Sequence, residues 1–277
     1  MKLHTINTGH FKLDGGAMFG VVPKSIWNKS NPADENNLCS WAMRSLLIED
    51  GNRLILIDNG MGDKQDAKFV SHYYLHGTDS LHGNLKSAGF QASDITDMFL
   101  THLHFDHCGG GVAYNGDKLE LVFKNATYWS NEAHWDWAVR PNPREKASFL
   151  KENIMPMQES GHLKMVSPQS SPFDGIDILF MDGHTEKQML PLISYKGRKI
   201  VFAADLIPSV GHIPLPYVMG YDTRPLQTMV EKEALLNKAV EEDYILFFEH
   251  DPVNECATLQ RTDKGVRVKE TFKLSEL

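Results

Sequence analysis

Short apolar runs and turn-forming residues alternate along the first half of the chain. The stretch WAMRSLLIED, a Gly-Asn pair and then RLILIDNG predict two strands joined by a turn. SLHGNLKSAGF follows with Leu81, Leu85 and Ala88 at helical spacing and a stop at Gly89, and ITDMFL returns to a strand. The pattern therefore predicts an alternation of strand and helix.

The second half shows another series of the same kind. LELVFKNATYWS is typical of a strand, a helix is expected from about Glu132 to Met157, and ILFMDGH, MLPLISYKG and RKIVFAADL are again typical of strands. PLQTMVEKEALLNKAVEED predicts a helix, and YILFFEHD a final strand. Three closing strands end near a side chain able to bind a metal: His184, Asp205 and His250. Without a repeat or linker, residues 1–277 are expected to form a single domain.

Side chains that can bind a metal are most concentrated in THLHFDHCGG, directly after the strand-like ITDMFL. In extended backbone, side chains two apart point the same way, so His102, His104 and Asp106 are expected to converge while His107 turns towards the glycines. Imidazoles and carboxylates together suit zinc, and also iron, manganese or cobalt. With the three later residues, the set predicts two ions rather than one.

Composition and charge narrow the classes of function. The chain has 277 residues, of which 42% are hydrophobic and 23% charged, which is typical of a globular protein with a sizeable core. A formal charge of -8 without a Lys/Arg cluster argues against nucleic acid as a partner. The N-terminus turns polar within five residues and no apolar run has the length of a bilayer span, so a cytoplasmic protein without a membrane partner is expected.

The cysteines do not suggest a redox or zinc-finger function. Cys39, Cys108 and Cys256 are odd in number and widely spaced, and none belongs to a C-x-x-C motif. They are expected to be buried as small hydrophobic side chains.

The metal-capable motifs resemble those of the metallo-β-lactamase-fold hydrolases. H-x-H-x-D-H at 102–107, Gly-His-Thr at 183–185, Ala-Asp at 204–205 and His-Asp at 250–251 are most similar in order and spacing to the branch of N-acyl-homoserine lactonases and methyl parathion hydrolase. The resemblance covers most of the chain, from LLIEDGNRLILIDNG to FFEHD. It implies an α/β fold, the four-layer α/β/β/α sandwich of the metallo-β-lactamase type.

The resemblance also implies a role for each motif residue. Two divalent ions, with Zn2+ as the expected metal, would be held by seven side chains: His102, His104 and His184 on one ion, Asp106, His107 and His250 on the other, and Asp205 on both. Asp58 would brace the ligand loop from outside. Asp205 and Asp106 are the catalytic candidates, Asp205 because it holds the ions together and Asp106 because it can pass a proton to the leaving oxygen.

Such a site needs no protein nucleophile. Coordination lowers the pKa of water from about 15.7 towards 7, which supplies hydroxide at neutral pH. The sequence contains no G-x-S-x-G motif that would indicate a nucleophilic serine.

The substrate class depends on one departure from the family and on two loops. Many lactonases of this branch have a tyrosine three residues after the bridging aspartate, where this chain has Pro208; His212 and Tyr217 are the nearest candidates to replace its contact. GGAMFGVVPKSIW and SVGHIPLPYVMGY suit either an apolar pocket rim or packed connecting loops. We expect a small-molecule substrate, with acyl lactones of the quorum-quenching type first and aryl esters or phosphotriesters as the alternative. A homodimer is compatible with the sequence.

Two other functions compete with hydrolysis. A di-iron redox protein of this fold would typically have Glu where this chain has His104, and no flavin-binding domain follows residue 277. A non-catalytic metal-binding module would normally have a closed site with one ion.

Other aromatic and imidazole side chains are not assigned to the metal site. Trp129, Trp135 and Trp137 fit a pocket lining or the core equally well. The remaining histidines are expected at the surface: His4, His10, His72, His76, His82, His134 and His162.

Overall fold

Fourteen strands and eight α-helices build the chain, and the structure, a computed structural model, describes all residues 1–277. The strands are β1 Lys2–Asp14, β2 Leu38–Asp50, β3 Arg53–Ile57, β4 Asp97–Phe99, β5 Val112–Asn115, β6 Lys118–Leu121, β7 Thr127–Ser130, β8 Leu163–Met165, β9 Ile176–Met181, β10 Gln188–Tyr195, β11 Arg198–Phe202, β12 Ile245–Phe247, β13 Cys256–Thr262 and β14 Gly265–Phe272. The helices are α1 Gly15–Phe19, α2 Lys24–Trp27, α3 Ala67–Ser71, α4 Leu81–Ser87, α5 Phe105–Cys108, α6 Glu132–Val139, α7 Lys151–Glu159 and α8 Pro225–Glu241. No helix is both long and apolar enough to cross a bilayer.

The chain divides into two units, each made of two segments. Unit 1 comprises Met1–His10 and Met43–Pro172, and unit 2 comprises Phe11–Ala42 and Phe173–Leu277. Strands β1 and β2 each continue from one unit into the other. The expected single domain over residues 1–277 stays a prediction.

Unit 1 is organised by a six-stranded sheet in the order β1-β2-β3-β4-β7-β8. The predicted hairpin of β2 and β3 is confirmed, and β3, β4, β7 and β8 pair in parallel. Parallel strands bring their carboxyl ends to the same edge of a sheet, which is where α/β proteins place their ligands. The segment with the first metal motif follows β4, so the sheet places it at such an edge.

Unit 2 contains the second six-stranded sheet, in the order β14-β13-β12-β11-β10-β9. Strands β9 and β11 both pair antiparallel with β10, and β11 pairs in parallel with β12. Strands β9, β11 and β12 therefore run in the same direction and end at the same edge. His184, Asp205 and His250 each follow the end of one of these strands by three residues. This common strand direction brings three side chains together that are far apart in sequence.

The predicted helix from Glu132 to Met157 is wrong in its middle. Two helices, α6 and α7, replace it, and residues 140–150 between them lie outside any helix. Pro141 and Pro143 explain the break, because proline lacks a backbone N–H and disfavours helical conformation in the residue before it.

Five strands were not predicted. These are β1 near the start of the chain, the short strands β5 and β8 in unit 1, and the hairpin of β13 and β14 near the end. The helix predicted around Leu81 and Leu85 is confirmed as α4, with Gly89 at a φ of 91° just beyond it.

Gly183, directly before His184, lies in close contact with helix α8 in unit 2. A Cβ at residue 183 would overlap the backbone nitrogen and hydroxyl of Thr228 in the first turns of α8. Gly183→Ala should therefore lower the free energy of unfolding by about 1–3 kcal/mol, the usual effect of overpacking. Urea denaturation measures this change. Ser194→Ala, at an exposed position of β10, is the control and should stay within about 0.5 kcal/mol; equal losses in the two variants would contradict the prediction.

Candidate metal centre

The first ligand segment leaves the sheet at the end of β4 and forms one helical turn. His104 is the N-cap of α5, with φ -65° and ψ 152°, and the Cys108 N–H donates to the His104 carbonyl oxygen at 3.1 Å. The expectation that extended backbone continues to Asp106 is therefore wrong. Asp106 and His107 instead point from a helical turn, while His102 and His104 lie on the irregular backbone before it.

His102 presents one ring nitrogen to His104 and has the other held from outside. Nε2 of His102 lies 3.1 Å from Nδ1 of His104. Nδ1 of His102 lies 3.0 Å from the Thr101 hydroxyl, which itself donates to Oδ2 of Asp58 at 2.6 Å. Because that hydroxyl gives its only proton to Asp58, it accepts from His102 Nδ1–H. His102 therefore keeps the lone pair of Nε2 on the side that faces His104.

Asp58 braces the ligand segment at three points, as expected from the sequence. It is fully buried, at a φ of 55°, and accepts from the Thr101 N–H at 2.8 Å as well as from the Thr101 hydroxyl. Its Oδ2 is also 3.1 Å from Nδ1 of His107, which must donate to the carboxylate. The lone pair of His107 is thereby left on Nε2, which lies 3.8 Å from Oδ2 of Asp106.

Glu145 faces the outer nitrogen of His104 and was not predicted from the sequence. Oε1 of this buried carboxylate lies 3.4 Å from Nε2 of His104. Oε2 accepts from Nε1 of Trp137 and from Nδ2 of Asn142, each at 2.6 Å. Glu145 lies in the segment between α6 and α7 that was predicted to be helical, so its position gave no signal in the sequence.

His134 is buried, and the expectation that it lies at the surface is wrong. Its side chain is inaccessible to solvent, and its Nε2 accepts from the Leu103 N–H at 2.9 Å. Leu103 separates His102 from His104, so this bond fixes the backbone between two of the candidate ligands. Its helical neighbourhood, EAHWDWAV, offered no motif that would have identified it.

The glycines after the motif are required by close packing. A Cβ on Gly109 would overlap the Met61 backbone, and one on Gly110 would overlap the Asn59 carbonyl oxygen. Glycine alone permits this approach of two backbones. The Asn59 N–H donates to the His107 carbonyl oxygen at 2.8 Å across the same contact, so the turn after β3 directly supports the ligand turn.

In unit 2 a single carboxylate faces two imidazoles. Oδ2 of Asp205 lies 3.1 Å from Nε2 of His184, and Oδ1 lies 3.0 Å from Nε2 of His250. The outer nitrogens are held by acceptors, Nδ1 of His184 by Asp222 at 2.9 Å and Nδ1 of His250 by the Ala42 carbonyl oxygen at 2.8 Å. Each oxygen of Asp205 therefore has its own imidazole, which is the arrangement that a carboxylate bridging two ions requires.

The electrostatics of this group favour a positive charge. Burial lowers the pKa of His184, but the carboxylates of Asp205 and Asp222 outweigh that effect and raise it to about 10. The field therefore stabilises a cation at the inner ring nitrogen. Imidazole nitrogen and carboxylate oxygen are also the ligands that zinc takes in proteins, so these residues fit a divalent metal ion.

Backbone strain accompanies this group. Ala204, directly before Asp205, has a φ of 40°. A non-glycine residue in this region costs of order 1–3 kcal/mol, and such residues concentrate at functional sites.

The two loops proposed to form a pocket rim contact each other in unit 2. The ring of His212 stacks on Phe19 with centroids 4.4 Å apart, and the Gly220 N–H donates to the Ala17 carbonyl oxygen at 2.8 Å. Tyr217 meets the Phe19 ring edge-on, with centroids 6.4 Å apart. The composition of these loops thus corresponds to a packed aromatic group.

His212 does not replace the tyrosine absent at Pro208. Its Nε2 donates to the Met18 carbonyl oxygen at 2.9 Å, and its Nδ1 accepts from the Ser209 hydroxyl at 2.8 Å. Burial lowers its pKa to about 3, so the ring is neutral. Because both nitrogens bind within the protein, Tyr217 remains the nearer candidate for a contact with substrate.

The cysteines are buried, which confirms the interpretation of their spacing. Burial raises the pKa of the Cys108 thiol to about 12 and that of Cys39 to about 11, so neither forms a thiolate at neutral pH. Trp135 packs in the core of unit 1, and Trp137 uses its indole N–H for Glu145. These two tryptophans are structural residues.

Comparisons with known proteins agree on one family. A model of the metallo-beta-lactamase superfamily matches residues 44–250. An N-acyl homoserine lactonase from Bacillus cereus is 22% identical over 263 residues, which cover 90% of this chain and 93% of the relative.

Solved structures are similar over nearly the whole chain. A probable metal-dependent hydrolase from Staphylococcus aureus is 28% identical, with a TM-score of 0.89 and coverage of 100% of this chain and 98% of that one. AidC, a dizinc quorum-quenching lactonase, is 23% identical, with a TM-score of 0.82 and coverage of 98% and 95%.

Proposed function

The chain belongs to the metallo-β-lactamase superfamily, and on that premise we propose that it is a dinuclear hydrolase of small apolar esters, with acyl lactones as its main substrates. The metallo-β-lactamase fold predicted from the motifs is confirmed, and the chain is a metal-dependent hydrolase. The curated relatives named N-acyl homoserine lactonase support the choice of lactones.

We propose that the seven side chains of the motifs bind two divalent ions, with Zn2+ as the preferred metal. One ion would be held by His102, His104 and His184, the other by Asp106, His107 and His250, and both by Asp205. The observation that carries this assignment is the carboxylate of Asp205, whose two oxygens face two different imidazoles at 3.0 and 3.1 Å. Four of the five histidines support it through outer hydrogen bonds that leave a lone pair on the inner nitrogen, and the Glu145 carboxylate lies 3.4 Å from the outer nitrogen of the fifth, His104. The dizinc lactonase AidC supports the choice of metal.

The reaction is the addition of water to an ester carbonyl followed by loss of the alcohol. When bound, two divalent ions lower the pKa of coordinated water and polarise the carbonyl oxygen. Asp106, buried but not sealed from solvent, takes up the proton that the attacking water releases and passes it to the leaving oxygen. Asp58, Glu145 and Asp222 keep the imidazoles oriented throughout. Thiols and serine hydroxyls have no role in this scheme.

An apolar substrate is supported by the aromatic group of unit 2. His212 lies in a turn whose Val210 N–H donates to Asp251, the residue after His250, at 2.9 Å, so the stack of His212 on Phe19 is anchored next to a proposed ligand. Both rings are buried and neither carries a charge, so they offer no ionic partner to a charged substrate; Tyr217, which is half-buried, is the member of the group that a substrate can reach. Tyr217 is proposed to contact the substrate carbonyl in place of the family tyrosine.

Removing the bridging carboxylate should empty the site. Asp205→Ala is expected to lower the metal content from about two ions per chain to one or fewer and to reduce turnover by at least about a hundredfold, because both imidazoles lose their shared partner. Elemental analysis after reconstitution measures the metal. Asp177→Ala removes an exposed carboxylate on β9 and should retain two ions. A single ion per chain in the unmodified protein would disprove the dinuclear model.

Glu145 should act on metal affinity through His104. Glu145→Gln keeps an acceptor when its amide oxygen faces Trp137 and Asn142, and its NH2 group then faces His104 without the negative charge. The affinity for Zn2+ is expected to fall by about 10–100-fold, the usual effect of losing such a partner, as measured by competition with a chromophoric chelator. Glu159→Gln, at the exposed end of α7, is the control and should bind Zn2+ with unchanged affinity. An unchanged Zn2+ affinity in Glu145→Gln would contradict a role of Glu145 in metal binding.

Longer acyl chains should be better substrates if the pocket is apolar. Each buried methylene contributes about 0.8 kcal/mol at most, which is about fourfold in kcat/KM. We therefore expect kcat/KM to rise from butanoyl to decanoyl homoserine lactone, with lower values for aryl esters and phosphotriesters. Steady-state assays with zinc-loaded protein measure the series. A flat or falling series would contradict the apolar pocket, and activity on phosphotriesters alone would replace the lactonase with the alternative function.

A further inference from the structure

A lysine is fully buried in unit 2, which is rare for this residue type. Lys232 lies on α8, and its side chain has no accessible surface. Its Nζ donates to three backbone carbonyl oxygens: Pro214 at 2.9 Å, Leu215 at 3.2 Å and Tyr217 at 2.8 Å. All three acceptors belong to one short segment of the chain.

The three carbonyls match the chemistry of an ammonium group. A protonated lysine has three N–H donors and no acceptor, so each donor has one carbonyl partner. Burial nevertheless disfavours the charge and lowers the pKa of Lys232 to about 7, while the carboxylate of Asp222 opposes this shift. Burying a cation here costs folding free energy. We therefore expect the contact with these carbonyls to serve a function besides stability.

The segment that Lys232 binds has little regular structure of its own. Residues 214–217 follow a 3-10 turn at Val210–His212, and Pro214 and Pro216 can donate no backbone hydrogen bond. Within the segment, the Tyr217 N–H donates to the Pro214 carbonyl oxygen at 2.9 Å. The ammonium group therefore supplies most of the polar contacts that fix this stretch.

The same segment joins two groups that matter for the proposed site. His212, stacked on Phe19, comes just before it, and Asp222, which holds Nδ1 of His184, comes just after it. Tyr217 lies within it and meets Phe19 edge-on. A shift of residues 214–217 would move the Tyr217 ring directly.

We propose that Lys232 is a positioning residue that fixes residues 213–219 as one wall of the acyl-chain pocket. Lys232 touches no substrate and acts through the backbone carbonyls that it binds. The wall's contact with an acyl chain rests on the proposed function, whereas the fixing of the segment does not.

Lys232→Met tests this role, because methionine keeps a similar length and removes all three donors. Amide hydrogen exchange in residues 213–219 should accelerate by about tenfold or more. KM for decanoyl homoserine lactone should rise by about tenfold, while kcat changes by less than about threefold and zinc content is unchanged. The effect on KM should shrink towards the butanoyl substrate.

Two further variants complete the test. Lys238→Met removes an exposed lysine from the same helix, paired only with Glu242 at 3.8 Å, and should match the unmodified protein in exchange and KM. Lys232→Arg retains charge and donors and should restore most of the protection and the affinity. A chain that folds with neither methionine nor arginine at position 232 would make Lys232 a requirement for folding and overturn the proposal.

The exchange and kinetic measurements separate the two proposals. Unchanged exchange in residues 213–219 of Lys232→Met would overturn the positioning role, whatever the activity. A loss in kcat equal for all acyl lengths would also overturn it, because a pocket wall acts on chain binding. If the unmodified protein hydrolysed no lactone or other ester, the proposed function would fail, and the exchange result would still decide whether Lys232 fixes the segment.

Discussion

An imidazole can offer a lone pair in a fixed direction only when its other ring nitrogen is held, and this constraint shapes the region around the candidate ligands. Each of the five candidate histidines has a polar group at its outer nitrogen: within hydrogen-bond distance in the case of Thr101, Asp58, Asp222 and the Ala42 carbonyl oxygen, and at an ion-pair distance of 3.4 Å in the case of Glu145. Three of these five groups are buried carboxylates. The fold must therefore place negative charge behind the ligands as well as among them.

Those carboxylates link the stability of the fold to the charge of the site. Buried carboxylates are unfavourable without hydrogen bonds or a nearby cation. Asp58 meets this need with three donors, and Glu145 with an indole and an amide. Asp205 and Asp222 instead flank His184 and raise its pKa, so in their case a cation is the compensating partner. A divalent ion bound there adds its binding free energy to the folded state.

The sequence could indicate the candidate ligands because they follow strands whose direction the topology fixes. H-x-H-x-D-H is a contiguous motif, and His184, Asp205 and His250 share one sheet edge because β9, β11 and β12 run in the same direction. That sharing was expected from the family resemblance, and the sheet supplies its physical cause. The extended conformation assumed for Asp106 failed, because the bond from the Cys108 N–H to the His104 carbonyl oxygen closes a helical turn that no alternation of side chains reveals.

The outer partners were mostly hidden for a different reason. Asp58 could be found because the family resemblance assigns a bracing aspartate to the end of the strand now seen as β3. Glu145 lies after the two prolines that end the first helix and before α7, in a segment without periodicity. Asp222 is separated from His184 by 38 positions in the sequence. His134 is on a helix whose pattern does not distinguish a buried imidazole from an exposed one. Contacts between irregular segments leave no spacing in the sequence.

Lys232 fixes backbone carbonyl groups by hydrogen bonds, as the outer partners fix the imidazole rings. Pro214 and Pro216 remove two N–H donors from a segment whose carbonyls must still be satisfied once buried. A neighbouring strand would satisfy them in a sheet, but here one ammonium group from α8 reaches three of them. The segment is half-buried to exposed along most of its length, and on its inner side the fully buried ammonium group of Lys232 satisfies carbonyl oxygens that no strand reaches, which supports the irregular path that lets Tyr217 reach the Phe19 ring.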